Sequence, residues 1–186
     1  MKQEARIIGI DDSPFDKFKD KEVLVIGTIY RGGNYLDGLV STKVKVDGDD
    51  ATTKIIRMIN TCKFKPQLQF IMLDGIAVAG FNIIDIEKLF RATKLPVFVT
   101  IRKYPDFLKI QMTLKKLNMG YKCKLLQKAG PVVKIQKLYC QLKGISADKA
   151  AELLHISCTH SNIPEPLRVA HIIAGGIVRG ESKGRA

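Results

Sequence analysis

A chain of 186 residues is long enough to form one α/β domain with a complete core, and we expect residues 1–186 to be a single domain. Its hydrophobic content of 46% and charged content of 26% match ordinary globular proteins, which excludes a disordered chain. No apolar run is long enough to span a bilayer, and the amino-terminal residues lack the apolar centre of a signal peptide, so we expect a cytoplasmic protein.

The charge of the chain is strongly positive and unevenly distributed. The net charge is +13, from 31 Lys and Arg against 18 Asp and Glu. Between Arg102 and Lys143, eleven basic residues stand against one acid, Asp106, whereas ten of the acids fall within the first fifty residues. Lysine and arginine gain affinity for phosphates by displacing counterions, so this pattern predicts DNA or RNA as the partner. The alternative is a solvated, lysine-rich face that only keeps the protein soluble.

The first predicted strand ends at two adjacent carboxylates. The run Ile7 to Ile10 is apolar and favours a strand buried on both faces, and Asp11 and Asp12 follow directly. Because side chains alternate along a strand, one carboxylate is expected on the side of Gly9 and the other on the opposite side. A strand end of this kind is suited to a divalent cation, although an aspartate there can also cap a turn.

The next elements predict an antiparallel meander followed by a crossover. Strands are predicted over 22–30 and 35–46, joined by a glycine-rich turn, so that with the first strand they form an antiparallel sheet. A helix capped by Asp49 or Asp50 then returns the chain to a parallel strand over 70–74.

This parallel strand repeats the acid-tipped pattern of the first. Its apolar residues end in Asp74, and a loop of small residues over 75–82 follows. Carboxylates from adjacent strand ends supply the oxygen ligands that Mg²⁺ and Mn²⁺ prefer. Asp11 and Asp74 are therefore the principal candidate metal ligands, and capping of turns by each aspartate is the alternative.

The second half of the chain alternates helices and strands. Asn82 and Asp85 resemble a capping box that opens a helix over 83–92, and a strand is predicted over 96–101. Further helices begin near Pro105, Ser146 and Pro164, and a strand or hairpin covers 131–142, which predicts helices on both faces of the sheet. The last helix is expected to bury Leu167, Ala170, Ile173, Ala174 and Ile177, with Arg168, His171, Gly175 and Arg179 on another stripe.

Four motifs, in order along the chain, resemble those of endonuclease V. They are Gly9-Ile10-Asp11, Tyr35-Leu36-Asp37-Gly38, Leu73-Asp74-Gly75, and the segment 163–171. The resemblance implies a ribonuclease H-like fold, a mixed sheet in which a three-strand antiparallel meander is joined by parallel strands. The chain as a whole is most similar to an uncharacterised, largely archaeal family related to that nuclease.

Endonuclease V cleaves a phosphodiester near deaminated adenine with a divalent cation held by acidic residues. Asp11 and Asp74 match two of those acids, and Tyr35 matches the tyrosine of the wedge that separates the strands. Asp37 stands where the wedge has proline, and the glutamate of the family has no plain counterpart, for which Asp47 or Asp49 is the candidate.

Two further departures concern histidine. The loop histidine of endonuclease V is absent after Asp74, and the last helix has His171 where that family usually has aspartate. His171 is a candidate metal ligand or general acid, because it titrates near neutral pH. The alternative is a histidine that is only solvated or hydrogen-bonded within the structure.

The first hypothesis is therefore a nucleic-acid phosphodiesterase that depends on Mg²⁺ or Mn²⁺ and acts in repair or processing. A non-catalytic nucleic-acid-binding protein on a degenerate nuclease fold is the second, and a structural or partner-binding protein is the third. In the first hypothesis the candidate catalytic residues are Asp11, Asp74 and His171; the metal ligands are Asp11, Asp74, Asp12 and Asp47; and the nucleic-acid contacts are Tyr35, Arg102, Lys103 and Arg168.

Overall fold

A computed structural model describes residues 3–183, which contain a seven-stranded sheet and a separate two-stranded hairpin. The strands are β1 (Arg6–Asp12), β2 (Glu22–Arg31), β3 (Tyr35–Lys45), β4 (Phe70–Asp74), β5 (Ala77–Val78), β6 (Asn82–Ile83), β7 (Val97–Ile101), β8 (Val133–Ile135) and β9 (Leu138–Lys143). The helices are α1 (Ala51–Thr61), α2 (Ile86–Thr93), α3 (Phe107–Lys116), α4 (Cys123–Lys128), α5 (Ala147–Ser157) and α6 (Glu165–Arg179). None of the helices within residues 3–183 combines the length and hydrophobicity that crossing a bilayer requires.

The main sheet is mixed, with the strand order β3-β2-β1-β4-β7-β9-β8. Strands β1, β2 and β3 pair antiparallel, β4 is parallel to β1, and β7 is parallel to β4. Strand β9 is antiparallel to both β7 and β8. The predicted meander and the switch to parallel strands after α1 are therefore confirmed.

Apolar residues of alternating strand positions pack against helices on the two faces of the sheet. On one face, Ile10 and Leu73 belong to a buried cluster with Ile55 of α1 and Leu89 of α2. On the other face, strand and helix residues form a second cluster that includes Ile7, Met72, Phe98, Leu153 and Leu167. Both faces of the sheet are covered by helices, as predicted from the alternation of elements.

Helix α6 packs unusually close to β1 and β2. A Cβ atom added to Gly9 would lie 2.4 Å from the carbonyl carbon of Pro166, so only glycine leaves room for the helix at this point. The hydroxyl of Thr28 donates a 2.5 Å hydrogen bond to the carbonyl oxygen of Pro166. These contacts hold the first turn of α6 against the middle of the sheet.

Two predicted details of the helices are wrong. Helix α2 begins at Ile86, with Asp85 as its cap accepting from the N–H of Lys88 at 2.9 Å, whereas Asn82 lies in β6. The Asn82 amide instead bonds the carbonyl of Lys45 and the N–H of Ala51, so it joins two distant turns rather than capping a helix.

In α6 the predicted apolar face extends one turn too far. Ile177 is 60% exposed, whereas the buried positions Ala170, Ala174 and Gly175 are small. Leu167, Ala170 and Ala174 of the predicted face are buried and Ile173 is half-buried, so the prediction is wrong only at Ile177. The small residues allow the helix to approach the sheet closely.

Candidate active site

Strands β1 and β4 bring Asp11 and Asp74 to neighbouring positions at the same end of the sheet. Ile10 pairs with Leu73 across the parallel ladder, and each aspartate is the next residue along its strand. Because Ile10 and Leu73 point to the face covered by α1 and α2, the two carboxylates point to the opposite face. Adjacent strands are about 4.8 Å apart, so the two side chains are close neighbours.

The second carboxylate of β1 turns the other way, as strand alternation predicts. Oδ2 of Asp12 accepts a 2.6 Å hydrogen bond from the N–H of Ala79, in the hairpin that follows β4. Asp11 lies on the side of Gly9, and its Oδ1 accepts from the N–H of Asp12 at 2.9 Å. The two adjacent acids therefore have different environments, one beside α6 and one beside the loop.

Helix α6 supplies His171 to this end of the sheet. Nδ1 of His171 lies 2.9 Å from Oδ2 of Asp11, although the two residues are 160 positions apart in the chain. Between Pro166 and His171 the helix rises about 7.5 Å, and between Gly9 and Asp11 the strand rises about 6.6 Å. The helix therefore runs alongside β1 with a similar rise, so the contact of Pro166 with Gly9 is followed by the contact of His171 with Asp11.

Burial and neighbouring negative charges raise the pKa of two acids of this site, Asp11 and Asp12. Burial, followed by the negative charges of Asp74 and Asp12, raises the pKa of Asp11 to about 7, against the lowering effect of the contact with His171. Burial also raises the pKa of Asp12, with Asp74 adding to it. Three carboxylates in a partly buried space repel one another, and a cation between them would relieve that repulsion.

An open cleft of about 450 Å³ lies over these residues, and basic side chains line its walls. Nη2 of Arg102 is 3.3 Å from Oδ2 of Asp74, so this predicted nucleic-acid contact lies beside the acids. Arg179 and Lys183 also line the cleft, and neither was among the predicted site residues. Arg179 belongs to the predicted stripe with His171, a signal that could have identified it.

Lys183 reaches the cleft because the chain turns back after α6. Gly180 ends the helix with a φ of +77°, and the following segment packs so that a Cβ on Gly175 would lie 3.6 Å from Cα of Ser182. Lys183 also forms an ion pair of 2.8 Å with Glu181. Lys183 is therefore part of the cleft wall.

Two of the predicted nucleic-acid contacts lie away from this cleft. Tyr35 pairs with Arg31, which pairs with Arg6 at the opposite end of β1, about 16 Å from Asp11 at 3.3 Å per residue. Arg168 lies in the first turn of α6, where its Nη2 is 2.7 Å from Oε2 of the buried Glu165. Lys103 is exposed and follows Arg102 in the chain, but it does not line the cleft.

Asp47 lies behind the loop rather than in the cleft. Its Oδ1 accepts from the N–H of Phe81 at 2.8 Å, and its own N–H donates to the carbonyl of Ala79 at 2.8 Å. Lys17 approaches its other oxygen at 3.6 Å. Asp47 therefore holds the same loop that binds Asp12, so its contact with the acids of the cleft is indirect.

Lys122 is a buried lysine that was not predicted from the sequence, and it also binds the loop that Asp47 holds. Nζ of Lys122 donates to the carbonyls of Asp47, Gly48 and Phe81 at 2.8, 2.6 and 2.8 Å, and its side chain has no exposed surface. It also forms an ion pair of 3.1 Å with Asp49, which accepts from the hydroxyl of Tyr121 as well. Among so many surface lysines, no local pattern distinguishes this one.

The acidic side chains of this cleft fit a cation site that is completed by water and substrate better than a site closed by protein ligands alone. Within residues 3–183, no group of three or more His, Cys, Asp and Glu side chains is arranged to hold a metal ion by itself. Magnesium commonly uses one or two carboxylates and completes its shell with water and substrate phosphates. Asp11 and Asp74 match that requirement, because each carboxylate has further lone pairs beside its present partner.

Residues 3–178 match the family model described as endonuclease dU. A UPF0215 protein of Methanothermobacter thermautotrophicus is 48% identical over 191 residues, covering 100% of this chain and 94% of that protein. The crystal structure of a protein of unknown function from Archaeoglobus fulgidus has a TM-score of 0.88 at 37% identity, covering 95% of this chain and 99% of that one. The resemblance to an uncharacterised archaeal family is confirmed.

Two structures of endonuclease V share the fold. The Bacillus subtilis enzyme has a TM-score of 0.62 at 9% identity, covering 94% of this chain and 81% of that one. The Ciona intestinalis enzyme, in complex with a 24mer DNA containing an inosine followed by a ribo-adenosine, has a TM-score of 0.56 at 15% identity, covering 89% and 82%. At such low identity the likeness concerns the fold, which is ribonuclease H-like as predicted.

Proposed function

Because the chain belongs to the endonuclease dU family, we propose that it is a divalent-metal-dependent endonuclease that hydrolyses a phosphodiester beside a deaminated base. The observation that carries the proposal is the pairing of Asp11 and Asp74 on one face at the ends of adjacent parallel strands. Burial, followed by the negative charges of Asp74 and Asp12, raises the pKa of Asp11, so its charged form is poorly stabilised without a cation.

In this proposal Asp11 and Asp74 hold a Mg²⁺ or Mn²⁺ ion, which when bound supplies charge stabilisation to the oxygens of the scissile phosphate. His171 orients the Asp11 carboxylate through its Nδ1 contact and, when protonated, can donate a proton to the leaving oxygen. Arg102, Arg179 and Lys183 line the same cleft and bind the phosphates on either side of the reacting one.

The supporting residues have a different role from the ligands. Asp12 binds the N–H of Ala79, and Asp47 and Lys122 hold the neighbouring backbone of that loop. Positions of carboxylates must be maintained closely for metal chemistry, and residues behind the ligands usually provide this. We assign Asp12 and Asp47 to this positioning role, with Asp12 also facing the cleft.

Two substrates are the leading candidates. The family is described as endonuclease dU, which points to deoxyuridine, the product of cytosine deamination. The Ciona endonuclease V of similar fold is bound to DNA with inosine, the product of adenine deamination. We propose deoxyuridine in DNA as the substrate, with deoxyinosine as the comparison that tests the choice.

A second candidate function is binding of nucleic acid without cleavage. One observation favours it: Asp11 and Asp74 are both engaged by basic side chains, His171 at 2.9 Å and Arg102 at 3.3 Å. A cation would have to share these carboxylates with their present partners. In this alternative, the same cleft binds phosphates through its arginines and lysine, and no bond is broken.

The test compares oligonucleotides that contain deoxyuridine, deoxyinosine or no modified base, together with an RNA strand. Each is incubated with the protein in Mn²⁺, in Mg²⁺ and in chelator. Asp74→Asn is the active-site variant, and Asp148→Asn, at an exposed position of α5, is the matched control. Cleavage that requires metal, prefers deoxyuridine and is lost only in Asp74→Asn would support the proposal. Intact strands that still shift on a gel would support the second candidate.

A further inference from the structure

Tyr104 is an exposed aromatic residue two positions along the chain from Arg102 of the candidate active site. It follows Arg102 and Lys103, and 61% of it is exposed. Arg102 lines the cleft and contacts Asp74, so the chain leads from the acids to Tyr104 within two residues. The proposed function gives this tyrosine no role.

Other aromatic rings hold Tyr104 in place. Its ring packs edge-to-face on Tyr139, with centroids 5.5 Å apart and an interplanar angle of 82°. A second edge-to-face contact, at 6.3 Å and 87°, is made with Phe107 at the start of α3. Edge-to-face pairs add stability beyond the burial of their surface, so this exposed ring is held by its neighbours.

The tyrosine pair extends across the sheet as a short row. Tyr139 lies opposite Ile101 on β7 and opposite Lys134 on β8. Nζ of Lys134 is 5.9 Å from the centroid of the Tyr139 ring. Ile101 packs with the cluster on the face of α1 and α2, so Tyr139 and Lys134 lie on that face, opposite to the Asp74 carboxylate. Along the sheet the row is about two strand spacings, or roughly 10 Å, from β4, so a nucleic-acid strand reaches it from the cleft by passing over the ends of β4 and β7.

Charge around this row favours a polyanion. Lys103 and Lys109 are exposed beside Tyr104, and the nearby Asp106 carboxylate is engaged in capping α3 through the N–H of Lys109. The exposed face of α3 adds apolar side chains, Leu108 at 76% and Met112 at 60%. An exposed ring among lysines next to a phosphate-binding cleft is the combination that binds unpaired nucleotides, because bases stack on the ring while lysines contact phosphates.

We propose that Tyr104, supported by Tyr139 and flanked by Lys103 and Lys134, is a stacking platform for an unpaired base of the strand that enters the cleft. The occupant is a single-stranded segment, since bases within a duplex already stack on their neighbours and offer no free face. This inference rests on the proposed function for its substrate class, and it adds a requirement for local strand opening.

The absence of tryptophan gives a direct readout. The chain has five tyrosines and no tryptophan, so tyrosine emission is not masked. A single-stranded, unmodified DNA oligonucleotide is titrated in chelator, where no metal-dependent cleavage occurs, and both affinity and emission are recorded. Tyr104→Ala is expected to weaken binding about 5- to 150-fold, because stacking contributes about 1–3 kcal/mol per base. Tyr104→Phe is expected to retain affinity but to lose most of the quenching on binding.

Tyr121→Phe is the matched control. Tyr121 is 58% exposed, and its hydroxyl bonds Asp49 on another part of the surface, so both affinity and quenching should stay at wild-type values. A blunt duplex of the same sequence should lose less affinity than the single strand when Tyr104 is removed. Circular dichroism of each variant verifies that the fold is intact.

Three outcomes would overturn the platform. They are wild-type affinity in Tyr104→Ala, full quenching in Tyr104→Phe, or a loss of self-association in Tyr104→Ala without any loss of DNA affinity, which would identify the surface as a contact between copies. Because binding is measured in chelator, a failure of metal-dependent cleavage would count against the proposed function alone.

Discussion

Nδ1 of His171 lies 2.9 Å from Oδ2 of Asp11, so helix α6 contacts the principal acid of strand β1. His171 stands at a helix position where the resemblance to endonuclease V led us to expect an acid. Replacing a carboxylate by imidazole beside Asp11 lowers the negative charge of the cluster. It also gives the site a group that can donate a hydrogen bond and orient the Asp11 carboxylate.

Truncation of this histidine should weaken the binding of Mn²⁺ more than it lowers the cleavage rate at saturating Mn²⁺. His171→Ala removes the group that orients Asp11, and loss of such partners typically costs about 10- to 100-fold in metal affinity or activity. We expect the cleavage rate to fall at low Mn²⁺ and to recover largely as Mn²⁺ is raised. His155→Ala, at an exposed position of α5, should leave the Mn²⁺ dependence unchanged. A rate that stays low at every Mn²⁺ concentration would instead indicate a general acid.

Neutralising Asp11 should stabilise the metal-free protein. The Asp11 carboxylate is 5% exposed and is repelled by Asp74 and Asp12, while asparagine keeps an oxygen for the N–H of Asp12. Asp11→Asn is expected to raise the free energy of unfolding in chelator by about 1–2 kcal/mol, a typical gain when functional strain is removed. The same variant should lose the stabilisation that Mn²⁺ gives the wild type. Urea unfolding with and without Mn²⁺ measures both effects, and a less stable variant in chelator would contradict the expectation.

Removal of the buried lysine should destabilise the loop behind the acids. Lys122→Met keeps the length of the side chain but leaves the carbonyls of Asp47, Gly48 and Phe81 without their donor. Each buried group left unpaired costs about 1–3 kcal/mol, so we expect a loss of about 3 kcal/mol or more in unfolding free energy. Lys124→Met, at an exposed position of α4, should change it little. Equal stabilities of the two variants would show that the buried contacts contribute nothing.

Asp37 should stabilise the protein only above its own titration range. Hydrogen bonds from Arg31, and a further one from Arg6, lower the pKa of Asp37 below its ordinary 3.8, against burial, which raises it. Its stabilising contribution is therefore complete above about pH 4 and is lost as the pH falls through the lowered pKa. Asp37→Asn should cost about 1–3 kcal/mol at neutral pH, and the difference from wild type should shrink toward about pH 3. A difference that is the same at both pH values would rule out this ion pair as its source.

The same residue shows how much of the fold the sequence could predict. The strand boundaries and the parallel crossover followed from apolar runs, turn residues and the position of a helix between strands. The register that brings Asp11 beside Asp74 followed from both acids ending their strands. Asp37, however, was noticed only as a departure from a wedge motif, and its ion pairs join three strands at the other end of the sheet from the acids.

The rest of the site depends on tertiary contacts that local patterns do not contain. Lys122 and Asn82 each bond backbone groups more than thirty positions away, so neither their burial nor their partners could be read from neighbouring residues. Lys183 reaches the cleft only because the chain reverses at Gly180. Tyr35 matched the wedge motif of endonuclease V, but it lies at the start of β3. The start of β3 is at the opposite end of the sheet from Asp11.

The distance along the chain between Asp11 and His171 also affects when the site can form during synthesis. Strand β1 is made early, but its partner on α6 follows 160 residues later. Until that helix has left the ribosome and packed on Gly9, the acids lack their histidine, and the face of β1 and β2 that packs on α6 lacks its cover. We therefore expect nascent chains arrested before Glu165 to be unable to cleave nucleic acid, including the messenger that is being translated.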